Sequence, residues 1–90
     1  MDRCTVIINF SDGRDSEDLD IPLDISAMDL LLGLNEAYKL GYDLSRINEY
    51  SLRAENPICL LKGTRSLQSY GLRHGSQINI MTEDENERRI

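Results

Sequence analysis

The sequence predicts an α+β fold, in which one main helix packs across a sheet of four to five strands. Three observations lead there. Only residues 26–41 carry a sustained helical apolar spacing. Several other stretches, spread over residues 4–82, carry the β-branched or alternating pattern of strands. Turn signals punctuate the gaps between them. At 90 residues the chain is expected to fold as one domain with a modest core, over residues 1–82.

The helical stretch reads SAMDLLLGLNEAYKLG. Ser26 can cap the first turn, and Asp29 stands where a capping-box acid belongs. Ile25 and Leu30 are placed to form a hydrophobic staple. Ala27, Leu30, Leu31, Leu34, Ala37, Tyr38 and Gly41 share one apolar stripe. Gly41 offers a left-handed stop. One stripe on one helix needs one broad apolar surface, and the strands supply it.

Residues 4–10 (CTVIINF) form an unbroken β-branched run. Alternation sets Val6, Ile8 and Phe10 on one face, and Thr5, Ile7 and Asn9 on the other. Asp12-Gly13 marks a turn inside a polar hairpin loop, residues 11–18. In residues 19–24 (LDIPLD), Leu19, Ile21 and Leu23 face inward. Pro22 lacks a ladder donor, which places this strand at a sheet edge. Residues 42–49 connect, with Leu44 and Ile47 expected to close the bottom of the core. Residues 50–55 alternate again, with Leu52 and Ala54 inward and Arg53 outward. Asn56-Pro57 turns the chain into a short strand over residues 58–62, with Cys59 and Leu61 as its core positions. A local turn around Leu67–Leu72 precedes the last strand, residues 77–82, whose Ile78 and Ile80 point inward. Residues 83–90 lack apolar periodicity and read as a flexible charged tail.

Composition narrows the function. Hydrophobic residues make up 40% of the chain, enough to bury a core. The formal net charge of -6 argues against nucleic acid, whose phosphates demand a basic face. It also argues against electrostatic binding to anionic lipid. The sequence has no apolar run of membrane-spanning length, so no direct membrane insertion is expected. Its first residues are not those of a signal peptide, and a cytoplasmic location is expected. Cys4 and Cys59 read as small apolar side chains in strands. The only histidine is His74, read as a solvent-exposed turn residue, so no metal set is expected. The acids lie on loops, on an edge strand and in the tail rather than converging. With no phosphate-binding glycine loop either, neither an enzyme nor a cofactor is expected.

The order of elements at this length resembles the β-grasp of ubiquitin-like proteins. Residues 65–72, RSLQSYGL, are similar to the ubiquitin-family pattern Arg-Thr-Leu-x-x-Tyr-x-Ile, and the spacing onward to Ile78 and Ile80 is kept. The resemblance implies a mixed sheet of four to five strands with one main helix packed across it. It implies that Leu67 plugs the core and that Tyr70 packs on its own loop with its hydroxyl bonded to backbone. Within the superfamily, the LQSYGLRHGSQINI ending (residues 67–80) resembles the YukD/EsaB-type proteins of bacterial type VII secretion systems. That likeness implies a non-conjugated protein-interaction module, a cytosolic accessory that docks on the membrane or ATPase components of a secretion machine.

Ubiquitin-type modifiers and β-grasp sulfur carriers act through a terminal Gly-Gly. This sequence has no Gly-Gly pair, and its last residues are Arg88-Arg89-Ile90. A divergent modifier or sulfur carrier is therefore the second reading. A ubiquitin-like scaffold domain cut from a larger protein is the third. The outer sheet face departs from ubiquitin as well. Alignment places Arg53 near the centre of that face and Asn79 and Met81 on the last strand. Ile58, Leu60 and Met81, flanking Arg53, are expected to form a small, mixed partner-docking patch.

Overall fold

The computed structural model describes residues 2–81. Strand β1 (Arg3–Phe10) turns into β2 (Glu17–Pro22), and helix α1 (Ala27–Tyr38) follows. After a 3-10 segment at Leu44–Glu49 come β3 (Leu52–Glu55) and β4 (Cys59–Leu61). A second 3-10 turn at Leu67–Tyr70 leads to β5 (Gln77–Ile80). The five strands form one sheet in the order β2-β1-β5-β3-β4. The central β1–β5 pair is parallel and the other pairs are antiparallel, so the sheet is mixed. Pro22 ends β2 at the sheet edge, where its missing N–H costs nothing.

The inner face is set by alternation. Cys4, Val6 and Ile8 of β1 are buried, as are Leu52 and Ala54 of β3, Leu61 of β4, and Ile78 and Ile80 of β5. Ala27, Leu30, Leu31 and Leu34 of α1 are buried in the same cluster. The first turn of the helix has its orphan donors satisfied. The Ala27 and Met28 N–H groups donate to the carbonyls of Arg65 (3.0 Å) and Gly63 (2.9 Å). Asp29 N–H donates to Ser26 Oγ at 3.0 Å, and the Ser26 N–H returns to Asp29 Oδ2, which completes the capping box. The 63–68 loop is thereby pinned to the helix N-terminus, with Leu67 N–H on Ile25 O at 2.8 Å, and the Leu67 side chain is fully buried.

Three expectations are corrected. The helix stops at Tyr38, with Lys39 rather than Gly41 taking the left-handed cap at φ 53. A helix continued to Gly41 would carry Leu40 to the side opposite the stripe. Stopping early lets Leu40 fold back against the core, while Asn35 Oδ1 accepts the Tyr42 N–H at 3.0 Å. The stripe also ends sooner, because Ala37 and Gly41 are exposed. Leu44 does not close the core; it is 63% exposed. Asp43 caps a 3-10 turn there through Ser45 N–H, which turns Leu44 outward. Its place is taken by Tyr42 and Tyr50, buried and stacked at 4.4 Å, with Ile47 partly buried beside the core.

His74 is exposed, as expected, but it is also bonded. Its Nδ1 accepts the Thr5 N–H at 3.0 Å, satisfying a β1 donor ahead of the point where β5 begins. Ser76 is fully buried at the start of β5. Its Oγ donates to Asn56 O (2.6 Å) and accepts from Arg73 N–H (3.0 Å). Ser76→Ala leaves both groups without this partner, and it is expected to lower the unfolding free energy by about 1–3 kcal/mol in a urea titration. A loss below about 0.5 kcal/mol would show that water replaces the hydroxyl at no cost.

Candidate docking surface

One row of residues crosses the outer face of four strands. Leu60 on β4 pairs with Arg53 on β3, Arg53 with Asn79 on β5, and Asn79 with Asn9 on β1. The centre of this face is a closed polar ladder. Asn9 Nδ2 donates to Gln77 Oε1 (2.8 Å) and to Asn79 Oδ1 (2.9 Å). Asn79 Nδ2 donates to Glu55 Oε2 (2.9 Å), and Ser16 Oγ donates to Asn9 Oδ1 (2.6 Å). Side-chain amides that bond one another have few donors and acceptors left for a partner, and they present no apolar area. The apolar character of the face is displaced to the β4 side.

There the structure joins two of the four residues expected in the patch. Arg53 and Leu60 are direct cross-strand neighbours. Continuing that register sets Ile58 opposite Glu55, in the turn that precedes β4, where it is 86% exposed. Leu60 is 43% exposed. Met81 lies apart. It follows β5 at the opposite end of the face, roughly 13 Å along the strands from the Ile58 level at about 3.3 Å per residue. It is partly buried and lines a shallow cleft with Phe10, Leu40 and Ile80. The Met81 carbonyl accepts the Tyr42 hydroxyl.

Three cations that sequence reasoning left out gather around β4. Lys62 follows Leu61, and strand parity gives it the Leu60 face. Tyr70 Oη donates to Lys62 O at 2.8 Å and receives the Lys62 N–H at 3.4 Å, as the resemblance implied for that tyrosine. The Arg65 guanidinium lies 4.6 Å from the Tyr70 ring centroid, a cation–π contact, and donates to Ser69 O. Burial pushes the Cys59 thiol up, and the nearby Arg65 charge opposes that shift. Arg73 Nη2 donates to Asn56 Oδ1 at 2.7 Å, beside the β3–β4 turn. The signal that would have found this cluster is charge counted by segment. Residues 51–81 hold Arg53, Lys62, Arg65 and Arg73 against one acid, Glu55. Residues 2–50 hold eleven acids against four Lys/Arg.

Among the described residues, no three of His, Cys, Asp and Glu converge on a metal-sized site. No helix among them is long and apolar enough to cross a membrane.

A five-stranded mixed sheet crossed by one capped helix, with a buried leucine plug and a backbone-bonded tyrosine in the 65–72 loop, defines a ubiquitin-like β-grasp protein. Solved ubiquitin-like folds match nearly the whole chain. The C-terminal ubiquitin-like domain of mouse tubulin-specific chaperone e has a TM-score of 0.68 at 16% identity, over 90% of this chain and 87% of that one. Ubiquitin from Caldiarchaeum subterraneum gives 0.68 at 17%, over 91% and 95%. The ubiquitin-like domain of a tubulin-binding cofactor B gives 0.71 at 17%, over 92% of each. No curated protein matches in sequence. The chain belongs to the YukD family, described as the WXG100 protein secretion system (Wss) protein YukD, whose profile matches residues 4–80. It is thus a ubiquitin-like member of a bacterial secretion-system family.

Proposed function

We infer that the protein is a non-conjugated docking module of a WXG100, or type VII, secretion machine. It works in the cytoplasm as an accessory, holding onto cytosolic parts of the membrane or ATPase components without catalysing a reaction. The observation that carries this reading is the YukD family match over residues 4–80. Two further features support it. The sequence has no Gly-Gly pair for adenylation and thioester chemistry. The outer face offers a cross-strand Arg53–Leu60 pair with Ile58 beside it, a mix of charge and apolar area suited to reversible protein contact. Met81, at the far end of the face, is the rim of this docking surface.

The test is capture of the tagged full chain from its native cells after gentle membrane solubilisation, with half of each sample denatured first. Secretion-membrane or ATPase components are expected in the native half and absent from the denatured half. Heavier adducts of the chain that survive denaturation would make it a modifier instead.

A further inference from the structure

The charges of this protein are sorted across its sheet. The acid-rich residues 2–24 build β1, the outer strand β2 and their loops, whereas residues 51–81 build the opposite side, ending at β4. At the acidic edge, cations are already engaged: Arg3 holds Asp20 at 3.0 Å and Arg14 holds Asp12 at 2.8 Å. At the β4 edge, none of Arg53, Lys62, Arg65 and Arg73 makes an ion pair among the described residues. Arg53 and Lys62 share the face of the exposed Ile58 and Leu60, Arg73 is bonded to Asn56 in the turn beside them, and the one acid of this segment, Glu55, is held by Asn79.

Among the described residues, β4 pairs only with β3, and the turn at Tyr70 and Gly71 flanks its other edge at Lys62 and Pro57, which leaves the Leu60 level between them. Tyr70 Oη occupies both backbone groups of Lys62, so those groups point away from β3. Strand alternation then turns the N–H and C=O of Leu60 to the same open side. An extended chain laid along β4 can bond Leu60 through its main chain, cover Leu60 and Ile58 with apolar side chains, and place carboxylates on Arg53, Lys62 and Arg73. A uniform polyanion fits less well. It offers nothing to Ile58 and Leu60, and it meets the repulsion of a chain of net charge -6. The acidic β2 edge of a second copy also fits less well, because Arg3 already holds Asp20 and Pro22 lacks a donor.

We propose that the β4 edge is a docking strip for an extended, acidic segment of a partner protein carrying Leu-, Ile- or Val-type anchors. This rests on the docking reading above and adds the chemistry of the partner. The test places a diazirine-bearing amino acid at position 60 of the full chain, expressed in its native cells, with position 36 on the helix as a comparison. Adducts are mapped by mass spectrometry. Position 60 is expected to label a partner segment rich in Asp and Glu with interspersed aliphatic residues, and position 36 is not. Arg53→Glu with Lys62→Glu is expected to cut that adduct about tenfold or more. Arg53→Gln with Lys62→Gln is expected to cut it less. Circular dichroism reports whether each variant is folded.

A labelled segment without acids, a second copy of this chain as the adduct, no protein adduct at position 60, or an adduct indifferent to charge reversal in a folded variant each overturns the proposal. The identity of the labelled protein judges the secretion reading separately. An acidic segment on a protein outside the secretion machine keeps this inference and removes that function. Secretion components labelled only from position 36 do the reverse.

Discussion

Leu67→Ala is expected to destabilise the protein by about 2–5 kcal/mol, the range for emptying a buried leucine site. Leu67 is fully buried, and its backbone cannot move to fill the space. Its N–H is bonded to Ile25 O, Gln68 N–H to Leu23 O, and the carbonyls of Gly63 and Arg65 cap the first turn of α1. A side chain anchored at both ends of its loop leaves a cavity rather than a collapsed site. A domain of this size has a total stability on the order of 5–15 kcal/mol, so the loss is a large share of it. Each kcal/mol should lower the melting temperature by about 4–8 °C. Urea titration with an unchanged slope is the check. A change within about 0.5 kcal/mol would place Leu67 outside the cooperative core, contrary to its burial.

Leu67 was legible through the family resemblance, which rests on its place in the RSLQSYGL pattern and on the kept spacing onward to Ile78 and Ile80. Strand faces were legible for a simpler reason. A period of two has no freedom, so once Val6 and Ile8 point inward, Asn9 must point out. What alternation could not give was how far each strand runs. Ile58 reads as an outward strand residue but belongs to the turn, where it is 86% exposed against 43% for Leu60 within the strand. Met81 shares the Arg53 face by parity, but parity does not fix a position along it, and the register sets Met81 two residues beyond Asn79, the partner of Arg53, and away from the Ile58 level. The β4 cations were hidden for a related reason. Lys62, Arg65 and Arg73 come from a loop, a turn and a strand approach, and only the loop's attachment to α1 and β3 brings them together. The proposed tail, residues 83–90, lies outside the described residues.

The connection after the helix is where sequence reasoning misplaced a core residue, and it yields the second large effect. A buried tyrosine carries a hydroxyl that must be satisfied. Here both hydroxyls are satisfied by backbone. Tyr50 Oη accepts the Asp43 N–H at 3.1 Å, and the Tyr42 hydroxyl donates to Met81 O. With its polar end satisfied, each ring brings more apolar area to the core than a leucine, and the two stack at an interplanar angle of 16°. Tyr50→Ala is therefore expected to cost about 3–5 kcal/mol, as for other large aromatic truncations. Tyr50→Phe keeps the ring and deprives Asp43 N–H of its acceptor, for about 1 kcal/mol. A double-mutant cycle with Tyr42→Ala should return a coupling of about 0.5–1.5 kcal/mol for the stacked pair. Equal losses for Tyr50→Ala and Tyr50→Phe would assign the whole effect to the hydrogen bond. A coupling near zero would mean that the rings stand side by side without stabilising each other. The larger alanine cost is expected because Tyr50 holds the start of the 42–50 connection at Asp43 and stacks on Tyr42, whose hydroxyl reaches Met81 just past β5.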